Sequence, residues 1–137
     1  MNAGHFAVAH WCVLIASLLP IACAGLAKWG MFTVSPRKGG YDNSNPRAWL
    51  ASQTDWRARA NAAQANSFEG LPFFIGAVAL ALQLGADPAR VDTLAFSYVV
   101  LRVAYIGLYV MDKAALRSLV FTAALAVNVA ILFSGYR

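Results

Sequence analysis

Glutamate is nearly missing from this 137-residue chain, and Glu69 is its only representative. Charge as a whole is scarce, at 12% of residues, about half of what a soluble domain carries. Residues 6–27, 70–86 and 118–136 contain no Lys, Arg, Asp or Glu, and residues 93–111 contain only Arg102. Such runs exclude an ordinary water-soluble fold. A helix needs about 20 apolar residues to cross the hydrocarbon core. In lipid only helices and closed barrels satisfy their backbone groups. Long unbroken runs rich in Ala and Leu predict helices rather than the short alternating strands of a barrel.

Other absences narrow the chemistry. Cys12 and Cys23 are the only cysteines. On one helix they stand roughly 16 Å apart along the axis, too far to bridge, so they read as apolar residues. His5 and His10 have no carboxylate nearby, and their i, i+5 spacing does not suit one helix face, so no metal is expected. No glycine-rich phosphate loop is present, and Gly39-Gly40 reads as a turn. One intramembrane acid with no second acid across the bilayer makes no proton relay. The net charge of +5 reflects loop asymmetry in a membrane protein, and nucleic acid is not an expected partner.

The sequence therefore predicts an all-α membrane protein, a single domain over residues 1–137 with four transmembrane helices at about 6–32, 57–84, 90–111 and 116–135. The first run lacks the basic start of a signal peptide and continues directly into Lys28, so it reads as a retained helix. Pro20 predicts a kink. The loop from Thr33 is dense in turn residues and shows no helical periodicity before Ala48. Helix 2 begins near Thr54-Asp55, and its first turns carry Arg57 and Arg59 towards headgroups or water. Asp87-Pro88 marks the start of helix 3.

Eight Lys and Arg flank the first and third loops: Lys28, Arg37, Lys38, Arg47, Arg57, Arg59, Lys113 and Arg117. Only Arg90 and Arg137 flank the other side. Positive charge stays cytoplasmic, so both termini are expected on the non-cytoplasmic side of what the short loops suggest is a bacterial inner membrane.

Polar residues within the spans cluster in the cytoplasmic half. Asn66 and Glu69 share a face of helix 2 at i, i+3, with Arg59 on nearly the same stripe. Arg102, Tyr105 and Tyr109 share a stripe of helix 3, and Arg117 opens helix 4. Two readings follow. In one, Glu69 and Arg102 pair and lock helix 2 against helix 3, with Asn66 bonding across. In the other, the residues line a cationic cavity. Arg59, Arg102 and Arg117 would there hold carboxylates, Asn66 and Glu69 an amine or peptide group, and a tyrosine a reacting atom. Arg117 adds to the positive end of its helix dipole, an environment that favours a thiolate.

The stretch from Ala60 to Phe74, with Asn66, Glu69 and Pro72, resembles the helix-2 signature of the MAPEG family, membrane-associated proteins in eicosanoid and glutathione metabolism. Leu101-Arg102-Val103-Ala104-Tyr105 with Tyr109 resembles its helix-3 motif, and Leu116-Arg117-Ser118 the start of its helix 4. The resemblance covers nearly the whole chain. It implies a four-helix bundle assembling as a homotrimer, with glutathione as co-substrate bound between protomers on the cytoplasmic side. It implies that Asn66 and Glu69 bind the glutathione backbone, that Arg102 and Tyr105 line the site, that Tyr109 hydrogen-bonds within it, and that Arg117 stabilises the thiolate. Tyr109 and Arg117 are thus the expected catalytic residues. The resemblance further implies glutathione transferase or peroxidase activity on small lipophilic electrophiles arriving from the membrane lipids. Ala62 departs from the pattern, because glutathione-using members carry an arginine there. Arg59, one turn earlier on a similar face, is a candidate replacement, and Lys28 represents the cation late in helix 1. The alternative reading is a non-catalytic membrane protein that binds lipid or serves as an accessory subunit beside other membrane-complex subunits.

Overall fold

The computed structural model describes residues 6–136. His5 and Arg137, used above, lie outside that range. Among the described residues, four helices are long and apolar enough to cross a membrane: α1 (Val8–Lys28), α3 (Asp55–Gln83), α4 (Pro88–Val110) and α5 (Ala114–Phe133). A short helix, α2 (Pro46–Ala51), interrupts the first loop.

Helix α1 stops at Lys28, short of the expected Phe32, because Gly30 takes a left-handed φ of 76° that ends the helical run. It continues unbroken through Pro20. Its first turn is tied to α4, where the Asp92 carboxylate accepts the Ala9 N–H at 2.8 Å. That bond satisfies one of the orphan donors every helix start carries. Asp87 does the same for α4, accepting from the Arg90 N–H with Pro88 in the first helical position.

The first loop is folded rather than open. Pro46 starts α2 two residues before the expected onset of periodicity at Ala48, since proline suits a first helical position. Trp49 of α2 is buried and donates from Nε1 to the Gly39 carbonyl, and Tyr41 meets its ring edge to face at 5.4 Å. Lys28 lies over the other side of the cluster, 4.4 Å from the Tyr41 ring centre. Gly40 is required here, because a Cβ at this position would overlap the Val34 carbonyl.

Arg57 and Arg59 do not project away as expected. Arg57 donates to the Ala27 and Trp29 carbonyls at 2.7 and 2.9 Å, and Arg59 donates to the Val110 carbonyl at 3.0 Å. Each guanidinium therefore closes the C-terminal end of a neighbouring helix, where unpaired carbonyls and the negative end of the dipole favour a cation.

In the bundle, α1 packs on α3 and α4, and α5 packs on the same two helices from elsewhere. The buried stripe of α1 is Ala9, Cys12, Ala16, Pro20, Cys23 and Ala27, all small. The stripe of α3 starts with Ala60, Ala63 and Ser67. Small residues let membrane helices approach closely where no water-driven force helps them. Many large apolar residues point outward, including Trp11, Leu14, Leu18 and Ile21 on α1 and Leu119 on α5, as a lipid environment allows, while Phe74, Val91 and Ile131 fill the interior.

Candidate functional site

Arg102 is the organising residue. It lies on the buried stripe of α4 and is only 4% exposed. Its Nη2 donates to Asn66 Oδ1 at 2.8 Å and to Ser67 Oγ at 3.3 Å, and its guanidinium carbon sits 4.4 Å from the Tyr105 ring centre. The expected Glu69–Arg102 lock is therefore replaced by neutral partners. Arg102 meets α3 at the level of Asn66, and Glu69 stands about 4.5 Å further along the axis, exposed on the open side of a cleft. Neutral hydrogen-bond acceptors satisfy the buried guanidinium while Glu69 escapes the desolvation that a buried pair would impose.

Arg117 sits one turn into α5, 4.3 Å over the Tyr109 ring. Tyr109 meets Tyr105 edge to face at 5.6 Å, and Tyr105 lies 6.1 Å from Phe121. The result is a run of two aromatic rings with a cation stacked at each end: Arg102, Tyr105, Tyr109, Arg117. Stacking fixes both guanidinium planes without neutralising either. Among the described residues, no ion pair holds Arg102 or Arg117.

Two clefts open along this seam of α3, α4 and α5. One, of about 220 Å³, is lined by Asn66, Glu69, Tyr98, Arg102 and Asn128 among others. The second, of about 300 Å³, is lined by Asn66, Tyr105, Tyr109, Arg117, Ser118 and Phe121 among others. They share Asn66 and Phe121 and so adjoin along the seam, called here the groove. Of the residues expected to make the site, six converge here: Asn66, Glu69, Arg102, Tyr105, Tyr109 and Arg117.

Arg59 does not. Its side chain is committed to the end of α4. Ala62 faces a third cleft, of about 460 Å³, on the other flank of α3, with Arg47, Asn61, Gln64 and Phe68. Gln64 Oε1 is buried there without a hydrogen-bond partner. Arg47 had read as a topology signal only; the pattern Asn45-Pro46, a helix start, was the cue that it would be carried by an element. Ser67 had also gone unnoticed, although it continues the small-residue stripe of Ala60 and Ala63. Among the described residues no three of His, Cys, Asp or Glu gather as a metal site would require.

A four-helix membrane bundle with a cationic, tyrosine-lined groove on its α3–α4–α5 seam defines a narrow class of multi-pass membrane protein. The family model described as "MAPEG family" matches residues 8–136, and the chain belongs to that family. No significant match exists among curated proteins or solved structures, so the family model alone carries the assignment.

Proposed function

We propose that the protein binds glutathione in the groove and uses it as a nucleophile towards small lipophilic electrophiles, as a transferase or peroxidase. One observation carries this reading: two fixed guanidiniums face the groove, and among the described residues neither is held in an ion pair, Glu69 being the one acid on the same cleft. Two cations facing one acid favour a small anionic ligand that also bears an amine. Asn66 and Glu69 would take the amine and peptide groups, and Arg102 with Tyr105 a carboxylate. Arg117, reinforced by the start of α5, would hold the sulfur as thiolate, with the Tyr109 hydroxyl beside it. In the transferase reaction the sulfur forms a bond to an electrophilic carbon while the leaving group departs with the old bonding pair. Where the leaving atom stays attached, as in an epoxide, a tyrosine hydroxyl is placed to return the proton.

Arg47 supplies the cation that Ala62 lacks in this reading, because it shares a cleft with that position. Sites formed between protomers of a homotrimer would join the two flanks of α3, both of which are open in a single chain. The excess of Lys and Arg in the first and third loops supports a cytoplasmic position for the groove in this reading.

The thiolate absorbs in the ultraviolet and the thiol does not, so a titration of glutathione into the protein near neutral pH reads the central step. The expected result is a thiolate signal in wild type that disappears in Arg117→Ala. A stable wild-type protein that yields no such signal at saturating glutathione would favour the non-catalytic reading, in which the groove holds lipid or another membrane subunit.

A further inference from the structure

The last span contains one amide, and it is turned inward. Asn128 lies on the buried stripe of α5 with Ala124 and Ile131, and it is 3% exposed. Its Oδ1 has no hydrogen-bond partner. Within a membrane an unpartnered amide oxygen is costly, and a leucine would pack the same stripe without that cost. Asn128 lines the 220 Å³ cleft. Across from it stands Tyr98, 4% exposed and stacked on Phe74 at 4.1 Å. The Tyr98 hydroxyl is hydrogen-bonded to the Asn128 side chain, which leaves Oδ1 as the open acceptor, and it lies close to Gly70, where a Cβ would come within 3.3 Å of it. Phe73, Phe121 and Leu125 complete apolar walls.

The cleft thus offers more than its charged residues Arg102 and Glu69: the Asn128 amide and the Tyr98 hydroxyl line it too, with Phe73, Phe121 and Leu125 as apolar neighbours. A volume of 220 Å³ is about seven times the share of one water in the liquid, so one bridging water does not account for it.

We propose that Asn128 and Tyr98 form the polar floor of a second subsite, which selects lipophilic molecules bearing a neutral hydrogen-bond donor such as a phenol, alcohol or amide N–H. The aryl or alkyl body lies along Phe73, Phe121 and Leu125. The donor end docks on Asn128, and the opposite end points towards Arg102. A site built to bond a hydroxyl discriminates strongly against the analogue lacking it, because the buried polar group is then left unpaired. The inference rests on the amide and its cleft, and it stands whether or not glutathione binds.

The test uses the full chain in detergent micelles with two probes, para-phenylphenol and its methyl ether para-methoxybiphenyl. Binding is followed by nuclear magnetic resonance, and partition into empty micelles is subtracted. Wild type is expected to prefer the phenol by about tenfold, the value of one good hydrogen bond. Asn128→Leu should bring the ratio close to one while still binding the ether. Tyr98→Phe, which keeps the stack on Phe74, should lower the ratio in part and serves if Asn128→Leu does not fold. Equal binding of both probes by wild type would overturn the proposal, as would a preference that survives Asn128→Leu. Calorimetry of glutathione on the same wild-type sample separates the two readings: its failure would sink the glutathione proposal and leave the phenol-to-ether ratio to decide this one.

Discussion

Arg102 and Glu69 carry opposite charges in one cleft, yet they have different jobs. Arg102 is buried and bonded to Asn66 and Ser67. Removing it leaves both partners unanswered inside the bundle. Arg102→Leu should lower stability by about 1.5–3 kcal/mol, the range for hydrogen bonds to a charged group, read as a fall in the thermal midpoint in detergent. Glu69 is exposed, and among the described residues no bond to Arg102 holds it. Glu69→Gln should leave the midpoint within about 0.5 kcal/mol of wild type while weakening glutathione. If Glu69→Gln melted the fold as deeply as Arg102→Leu, the pair would be a structural lock after all. The sequence revealed that Arg102 must find a partner. It did not reveal which one, because the choice among Asn66, Ser67 and Glu69 depends on how α3 and α4 slide past each other.

At the scale of the element, the arginines at the start of α3 bind two other helices together. Arg57 closes the end of α1 and Arg59 the end of α4. Arg57→Ala should cost about 1–3 kcal/mol by leaving two carbonyls without their cation, and limited proteolysis should cut the first loop sooner. The same logic separates Arg59 from Arg47. Arg59→Ala is expected to reduce stability and spare glutathione affinity. Arg47→Ala is expected to weaken affinity about tenfold or more, the loss of one charge-assisted contact, and spare stability. The reverse pattern, measured by calorimetry and thermal melting on both variants, would restore Arg59 to the site. The spans themselves were legible because charge-free runs of that length leave few alternatives. The fold of the first loop was not, since it depends on Lys28, Gly39, Tyr41 and Trp49 meeting across the chain. The destinations of Arg57 and Arg59 were hidden for the same reason: carbonyls at helix ends leave no mark in a sequence.

Across the whole molecule, small residues make the α1 side of the core, with Phe74, Val91 and Ile131 as bulky members elsewhere, and the groove sets polar groups among apolar walls. Close approach of α1, α3 and α4 through Ala, Cys and Ser leaves the bulkier side chains to lipid and to the α5 seam. Both cysteines lie in that core. Neither Cys12 nor Cys23 should react with a maleimide in the folded protein, and labelling should appear only as the bundle melts. Prompt labelling of the native form would mean that α1 does not pack on α3 and α4 as described. The family was legible from three motifs in order, because Asn66, Glu69, Arg102, Tyr105, Tyr109 and Arg117 meet in one groove. Asn128 escaped notice, since a single amide in an apolar run says nothing until its neighbours are known.

The central claim is that the groove is a glutathione site, and calorimetry tests it most directly. Glutathione would be titrated into purified wild type, Arg117→Ala and Glu69→Gln. The account predicts binding at about 1 mM or tighter for wild type, lost or strongly weakened in both variants. A stable wild-type protein that binds no glutathione at about 10 mM, equivalent to less than ~3 kcal/mol of affinity, would contradict it.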